Sequence, residues 1–427
     1  VNALTDFTEQ HPALKFVHVQ WLDYVATMRT HVLPITEFRR LVTEGDRIAM
    51  SPSNTGLIHP DHADSDTSQM YAEPDLTTLR LAYSKGPLVS ATTIASFRNQ
   101  DASPSPCCPR TSLQNLANLL SSTHNLTFDI AFDLKVVFLK QNDSKDEKPI
   151  PWTTNHTSHG SFSPEQDQLA FPLLAEIADE LDKIGIRVSN FHAETAAGQY
   201  NFVLKSLALV QAIDTLVQAR QVVKQIARGY GLRVTLFSTP LASATSIQHA
   251  NISLASTTLS PDELANKESC FFAAVMAHLP LLCAFSPTTT TATATANIIP
   301  PPPRKLKQQT WRLAHLTASS NLYLAFTALL SLGLGGLNEE MQDVTVGLDE
   351  EMQDLTVVND EESTTTTTLT SSTMAQSLQQ VERDELIKES MGAELIDAFV
   401  AVNKGQLHVL EGLKDDEVRF EWLSERY

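Results

Sequence analysis

Cysteine is scarce: the 427 residues hold four, Cys107, Cys108, Cys270 and Cys283, with no C-x-x-C spacing. That excludes a disulfide framework, gives no sign of a zinc site, and fits a reducing, cytoplasmic setting. Positive charge is also short, with 31 Lys and Arg against 50 Asp and Glu and a formal net charge of -19. No basic stripe is present to release counterions from phosphates, so nucleic acid is excluded as a partner. Long apolar runs are absent as well. The longest, "NLYLAFTALLSLGLGGL" (Asn321 to Leu337), sits near the lower length limit for crossing a bilayer. It is expected to be a buried core helix that ends at Gly335-Gly336, leaving no membrane partner. The opening "VNALTDFTEQHPALKF" has no basic start followed by an apolar block and so no secretory signal. It also lacks an initial Met, which suggests a fragment or a processed start.

What is present is an ordinary globular composition, 42% hydrophobic, long enough for two or three domains. Residues 14 to about 100 alternate apolar and polar residues as short half-buried strands do, most clearly in "KFVHVQWLDYVATMRTHVLPI". Beyond Cys108 the periodicity predicts helices near 111–122, 169–184, 207–230 and 261–283, and strands near 126–139, 232–237 and 247–254, with two more around Phe191–Leu204. This is an α+β pattern. Two stretches break it: "SPTTTTATATANIIPPPP", within an insert at 286–303, and an acidic direct duplication, "LNEEMQDVTVG" then "LDEEMQDLTVV", within an insert at 337–373. Both read as exposed loops or linkers, since their compositions bury little apolar area.

Three predicted strands carry polar residues two apart in apolar context. "FDIAFDLKVVFLK" offers Asp133 and Lys135. "FHAETAAGQYNFVL" offers His192 and Glu194, then Gln199 and Asn201 after the Ala-Ala-Gly bend. "TSIQHANISL" offers His249, Asn251 and Ser253. Residues two apart share a strand face. Each pair alone reads as a solvated strand side, but three converging pairs suggest an ion, a ligand or a closed hydrogen-bond network.

With "PDLTTLR", "CPRTSL", "AIDTLVQARQVVKQIARGYGLRVTLF", "SSNLYLAFTALLSLGLGGL" and "LHVLEGLKDDEVRFEWLSERY" added, the chain resembles the glutamine synthetase superfamily, most of all its fungal glutamine-synthetase-like members. The resemblance implies a β-grasp N-terminal domain over 1–104 and a glutamine synthetase catalytic-type domain over 105–427, with a curved antiparallel sheet and helices. It further implies ring-type homo-oligomers, ATP, two or three Mg²⁺ or Mn²⁺ ions, and ligation of glutamate to ammonia or another amine through a γ-glutamyl phosphate.

The carry-over of site residues is incomplete. The resemblance puts Asp133, Glu194 and His249 at metal-ligand positions, while Lys135, Asn201 and Arg312 each stand where the family has an acid. Gln199, Asn251 and Ser253 remain as candidates for substrate binding. The segment between Phe285 and Trp311 is too short for the family's nucleotide and substrate loops. A faulty gene model would explain that segment but not Lys135 or Asn201. A lysine where a divalent cation should sit is worse than a missing ligand. The expectation is a non-catalytic descendant serving as scaffold or assembly partner, with Lys135 and Arg312 pairing the leftover acids; the alternative is an ATP- and Mg-dependent carbon-nitrogen ligase.

Overall fold

The computed structural model describes residues 2–56, 70–84, 86–140, 150–152, 164–194, 196–236, 248–286, 297–299, 310–316, 320–339, 355–360, 364–369, 374–413, 418 and 422–423. Two sheets organise them. The first contains β1 (Leu14–Leu22), β2 (Met28–Pro34), β3 (Ile48–Met50), β4 (Met70–Leu81) and β5 (Val89–Arg98), in the order β2-β1-β5-β4-β3. β1 and β5 run parallel and the other neighbours antiparallel. The alternation in β1 turns Val17, Val19 and Trp21 to one face, where they meet Leu4 of α1 (Asn2–Gln10) and Phe38 and Leu41 of α2 (Ile35–Glu44) in a small core.

The second sheet is built on β6 (Thr127–Lys140). Around it lie β7 (Ile150–Pro151), β8 (Val188–Ala193), β9 (Gln199–Leu204), β10 (Leu207–Ala208), β11 (Leu232–Thr235) and β12 (Gln248–Ala255), then β13 (Asn297–Ile299), β14 (Trp311–Leu316), β15 (Leu355–Asp360) and β16 (Thr364–Leu369). The path is β15-β16-β13-β14-β12-β6-β9-β8, with β7, β10 and β11 also pairing β6. One face of β6 is apolar: Phe128, Ile130, Phe132, Leu134, Val136 and Phe138 are each 4% exposed or less. Burying each such side chain contributes about 1.5–3 kcal/mol. A one-residue slip would turn all six outward, so this face fixes the register of the opposite, polar face.

Helices cover the apolar face. They are α3 (Pro109–His124), α4 (Pro164–Lys183), α5 (Leu209–Gly229), α6 (Pro261–Ala277), α7 (Leu279–Ala284), α8 (Leu322–Asn338), α9 (Met374–Arg383), α10 (Glu385–Met391) and α11 (Ala393–Gly412). Local chemistry starts several of them. Ser260 and Glu263 form a reciprocal capping box on α6, and the Asn321 side chain accepts from the Tyr323 and Leu324 amides of α8. α8 is apolar all round, as a helix sunk in a core must be; its Phe326 ring meets Phe132 edge-on at 5.9 Å between centroids. Among the described residues no helix is long and apolar enough to cross a membrane.

The structure departs from the sequence reading in three places. α8 does not end at Gly335-Gly336 but runs to Asn338, and Gly336 serves packing: a Cβ on it would lie 2.4 Å from Ala274 Cβ and 2.6 Å from the Cys270 carbonyl oxygen of α6. The single helix read over 261–283 divides at His278 into α6 and α7, where the proline at 280 lacks the N–H needed to continue the ladder. Both stretches read as loops contain paired strand. β13 joins β14 and β16, and β15 pairs β16 from Leu355 to Asp360. Threonine and valine are β-branched and favour extended backbone, a preference that compositional simplicity concealed.

A buried polar junction ties the first sheet to the helices. Asp214 of α5 accepts from Arg110 Nε at 3.0 Å, from Arg110 Nη2 at 2.7 Å and from the Tyr323 hydroxyl at 2.6 Å, while Arg110 also donates to Asp75 of β4 at 2.6 Å. Sequence reasoning gave this group no role, although an acid inside the apolar run "LVQAIDTLV" was its visible signal.

Candidate functional site

The polar face of β6 carries Asp129, Asp133 and Lys135, and the pairing register sets their neighbours. His249 of β12 lies opposite Asp133, and Asn201 of β9 lies opposite Lys135. His192 of β8 lies opposite Asn201, and Arg312 of β14 lies opposite Asn251. The two-residue phase read from the sequence thus places Asp133, Lys135, Asn201, His249, Asn251 and Arg312 on one side of four adjacent strands. Glu194 follows the end of β8 and its amide donates to the Gln199 carbonyl at 2.9 Å, closing a tight connection into β9. That connection needs Gly198, whose φ is +69° and whose added Cβ would stand 2.7 Å from the Phe138 carbonyl oxygen.

Within this face the charged groups form two paired sets. In one, Lys135 Nζ lies 3.2 Å from Glu194 Oε1, and His192 Nε2 lies 3.7 Å from the same oxygen. In the other, Asp133 Oδ2 lies 3.5 Å from both His249 Nδ1 and Arg312 Nη2, and Asn251 Nδ2 donates to Asp133 Oδ1 at 3.4 Å. Arg312 Nη2 also contacts His249 Nδ1 closely. Burial, foremost, pushes the His249 pKa below its ordinary value; the Asp133 contact opposes this and the Lys135 and Arg312 charges reinforce it.

A divalent cation does not fit among these side chains as they stand. Asp133 is about 8% exposed and Glu194 about 19%, and each carboxylate faces a side-chain cation of the protein itself. Among the described residues no three His, Cys, Asp or Glu side chains are grouped so as to hold a metal ion. Asn201 is 3% exposed and its Oδ1 has no hydrogen-bond partner among the described residues, so the amide is a neutral acceptor where an acid would have supplied charge.

Not every residue singled out in the sequence joins this group. Ser253 shares the face but lies opposite Asp129, two pleats from Asp133, and shares a hydrogen bond with Thr310 at 3.2 Å between hydroxyl oxygens. Gln199 is 4% exposed at the start of β9, beside the Glu194 turn. His192, paired with Glu194 in the sequence by its spacing of two, joins the Lys135 set through that glutamate. Residues 287–296 and 300–309, in which the nucleotide and substrate loops were expected to be missing, lie outside the described residues.

Comparisons with known proteins agree on the fold and family. Protein fluG of Emericella nidulans is 30% identical over the whole of this chain, which spans about half of that protein's length (50%). The gamma-glutamylpolyamine synthetase GlnA3 of Streptomyces coelicolor is 24% identical over 94% of this chain and 91% of its own. A solved structure described as a novel glutamine synthase homologue superposes with a TM-score of 0.77 at 20% identity, covering 97% of this chain and 99% of the other. The family described as "Glutamine synthetase, catalytic domain" matches residues 106–293 and 289–420. This chain belongs to the glutamine synthetase family.

Proposed function

We propose that the chain is a glutamine synthetase-like protein whose cation site has been replaced by internal ion pairs, and that it serves as a scaffold or assembly partner in ring-type homo-oligomers. The carrying observation is the 3.2 Å contact between Lys135 and Glu194. Two unit charges 4 Å apart interact by roughly 4 kcal/mol at the effective dielectric of such sites, so a divalent ion beside an ammonium meets a repulsion of roughly twice that. Arg312 beside Asp133 adds a second cation to the same face. The residues at 1–104 act in this reading as a β-grasp domain and those at 105–427 as a catalytic-type domain. The setting is cytoplasmic, and neither ATP nor Mg²⁺ or Mn²⁺ is required.

The second reading is an ATP- and Mg-dependent ligase joining glutamate to an amine, favoured by the 24% identity to a gamma-glutamylpolyamine synthetase across 94% of this chain. In it Glu194, His249 and Asp133 would hold the metal and Gln199, Asn251 and Ser253 the substrate. The discriminating experiment is γ-glutamyl hydroxamate formation by the purified protein with Mg²⁺ and with Mn²⁺. The scaffold reading predicts no product above the ATP-free background; ATP-dependent product overturns it in favour of the ligase.

A further inference from the structure

A cluster of positive charge lies on α5 and β11, built from residues other than those of the ion pairs on β6. Arg220, Lys224 and Arg228 follow one another at intervals of four, so successive turns of α5 stack them on one side. β11 packs against α5 and adds Arg233, opposite Leu139 of β6. The stretch from Thr215 to Thr235 holds these four basic residues and no Asp or Glu, in a chain whose net charge is -19. The single acid of α5, Asp214, is already engaged by Arg110 and Tyr323. The cluster grades from inside to outside: Arg220 is 7% exposed, Lys224 and Arg233 are partly buried, and Arg228 is exposed.

Lys224 is the residue this arrangement leaves unexplained. Among the described residues its ammonium has no hydrogen-bond or ion-pair partner, and the charges acting on it, those of Arg220, Arg228 and Arg233, all share its sign. Burial, foremost, and then those three guanidiniums push the Lys224 pKa down to about 8. Like charges four apart on a helix are destabilising, and a partly buried cation without a counter-charge is more so. The dipole of α5 favours Arg228 in the last turn but fades before Lys224. The lysine side chain is nonetheless partly open to solvent.

We propose that Lys224 and Arg228, supported by the charges of Arg220 and Arg233, bind a small doubly charged oxyanion of the phosphate class, free or as a monoester. Two charges and three or four acceptor oxygens suit an ammonium with three donors beside a guanidinium fork, whereas a carboxylate offers a single charge. Four cations gathered at one place suit one small anion and not the long track of a nucleic acid. The site is independent of the ion pairs on β6 and of the function assigned to them.

The test uses the full chain in a buffer free of phosphate and sulfate, with inorganic phosphate and phenyl phosphate as probes and sodium chloride at matched ionic strength as control. Titration calorimetry is expected to give a submillimolar Kd, and saturating probe should raise the melting temperature by about 2 °C or more over chloride. Binding of inorganic phosphate identifies a free ion, and binding of phenyl phosphate alone a monoester. Hydrogen exchange should slow in peptides spanning 220–233. Lys224→Met keeps the apolar stem and removes the charge: without probe it should melt at or above the parent, and with probe the rise should vanish. Arg228→Gln, at an exposed position, should weaken binding about tenfold with the fold intact. No rise beyond that of chloride, or a rise undiminished in both variants, overturns the proposal. So does a Lys224→Met protein that melts well below the parent without probe, because an acid would then already hold the ammonium.

Discussion

Lys135 Nζ lies 3.2 Å from Glu194 Oε1, with the two side chains 12% and 19% exposed. The lysine belongs to β6 and the glutamate to the turn after β8, so the contact spans β9 and clips three strands together at one end of the polar face. Lys135→Glu would replace the clip with repelling acids in a partly dry site, lowering stability by roughly 2 kcal/mol. Millimolar Mn²⁺ should then restore part of the loss by binding the native state. Thermal melts of both proteins with and without the ion check this. A variant that melts with the parent and ignores Mn²⁺ removes Lys135 from any cation-site remnant.

Asp214 predicts a larger effect. It is buried at 4% exposure and accepts three hydrogen bonds, two of them from Arg110. Asp214→Ala would leave the Arg110 guanidinium with only its Asp75 and Ser96 contacts and the Tyr323 hydroxyl without its acceptor. The expected loss is about 3–5 kcal/mol, read as a fall in the urea midpoint. A shift within the range of surface substitutions would mean that the junction does not hold the first sheet to the helices.

Glu268 links stability to pH. It is 5% exposed, accepts from Trp311 Nε1 at 2.8 Å, and is pushed by burial up to about 7, against the smaller opposing pull of that indole. Because the folded state holds this proton to higher pH than the unfolded chain does, stability is greatest below the ordinary carboxylate range. It is lost as pH rises from there through about 7. Glu268→Gln keeps an oxygen acceptor and has no charge to bury. It should flatten that slope and gain roughly 1–3 kcal/mol above pH 8, seen by comparing denaturation at acidic and alkaline pH. An unchanged slope would place the proton elsewhere.

Gly336 tests the packing of α8 on α6. With Cys270 O and Ala274 Cβ both inside 3 Å of an added Cβ, Gly336→Ala should destabilise by about 1–3 kcal/mol, although alanine is the better helix former. Gly335, whose nearest neighbours would be the Leu386 methyls at 3.8–3.9 Å, should accept alanine at no loss. Opposite results at the two glycines, measured by thermal melts, would show that the helix and not the interface sets their identity.

What the sequence disclosed follows from which forces are local. β6, β9 and β12 were legible because alternation is a property of three or four successive residues, and the pairing of His249 with Asp133 follows once the apolar faces are aligned. The glycines of α8 were misread because termination and close packing call for the same residue, and only the approach of α6 distinguishes them. The strands at 297–299, 355–360 and 364–369 were hidden by composition. The Arg110–Asp214 pair joins residues 104 apart in sequence, a distance over which no periodicity reports. The partner of each cation was the least legible part: Lys135 and Arg312 each had two acids to choose from, and strand register made the choice.

Mn²⁺ titration calorimetry on the unmodified protein tests the central claim most directly. With Lys135 on Glu194 and Arg312 on Asp133, the account predicts no tight site, because an entering ion must displace two bound cations and finds an amide at Asn201. Heats indistinguishable from dilution, or a Kd in the millimolar range, agree with it. A submicromolar Kd would contradict the account and return the polar face of β6 to metal chemistry.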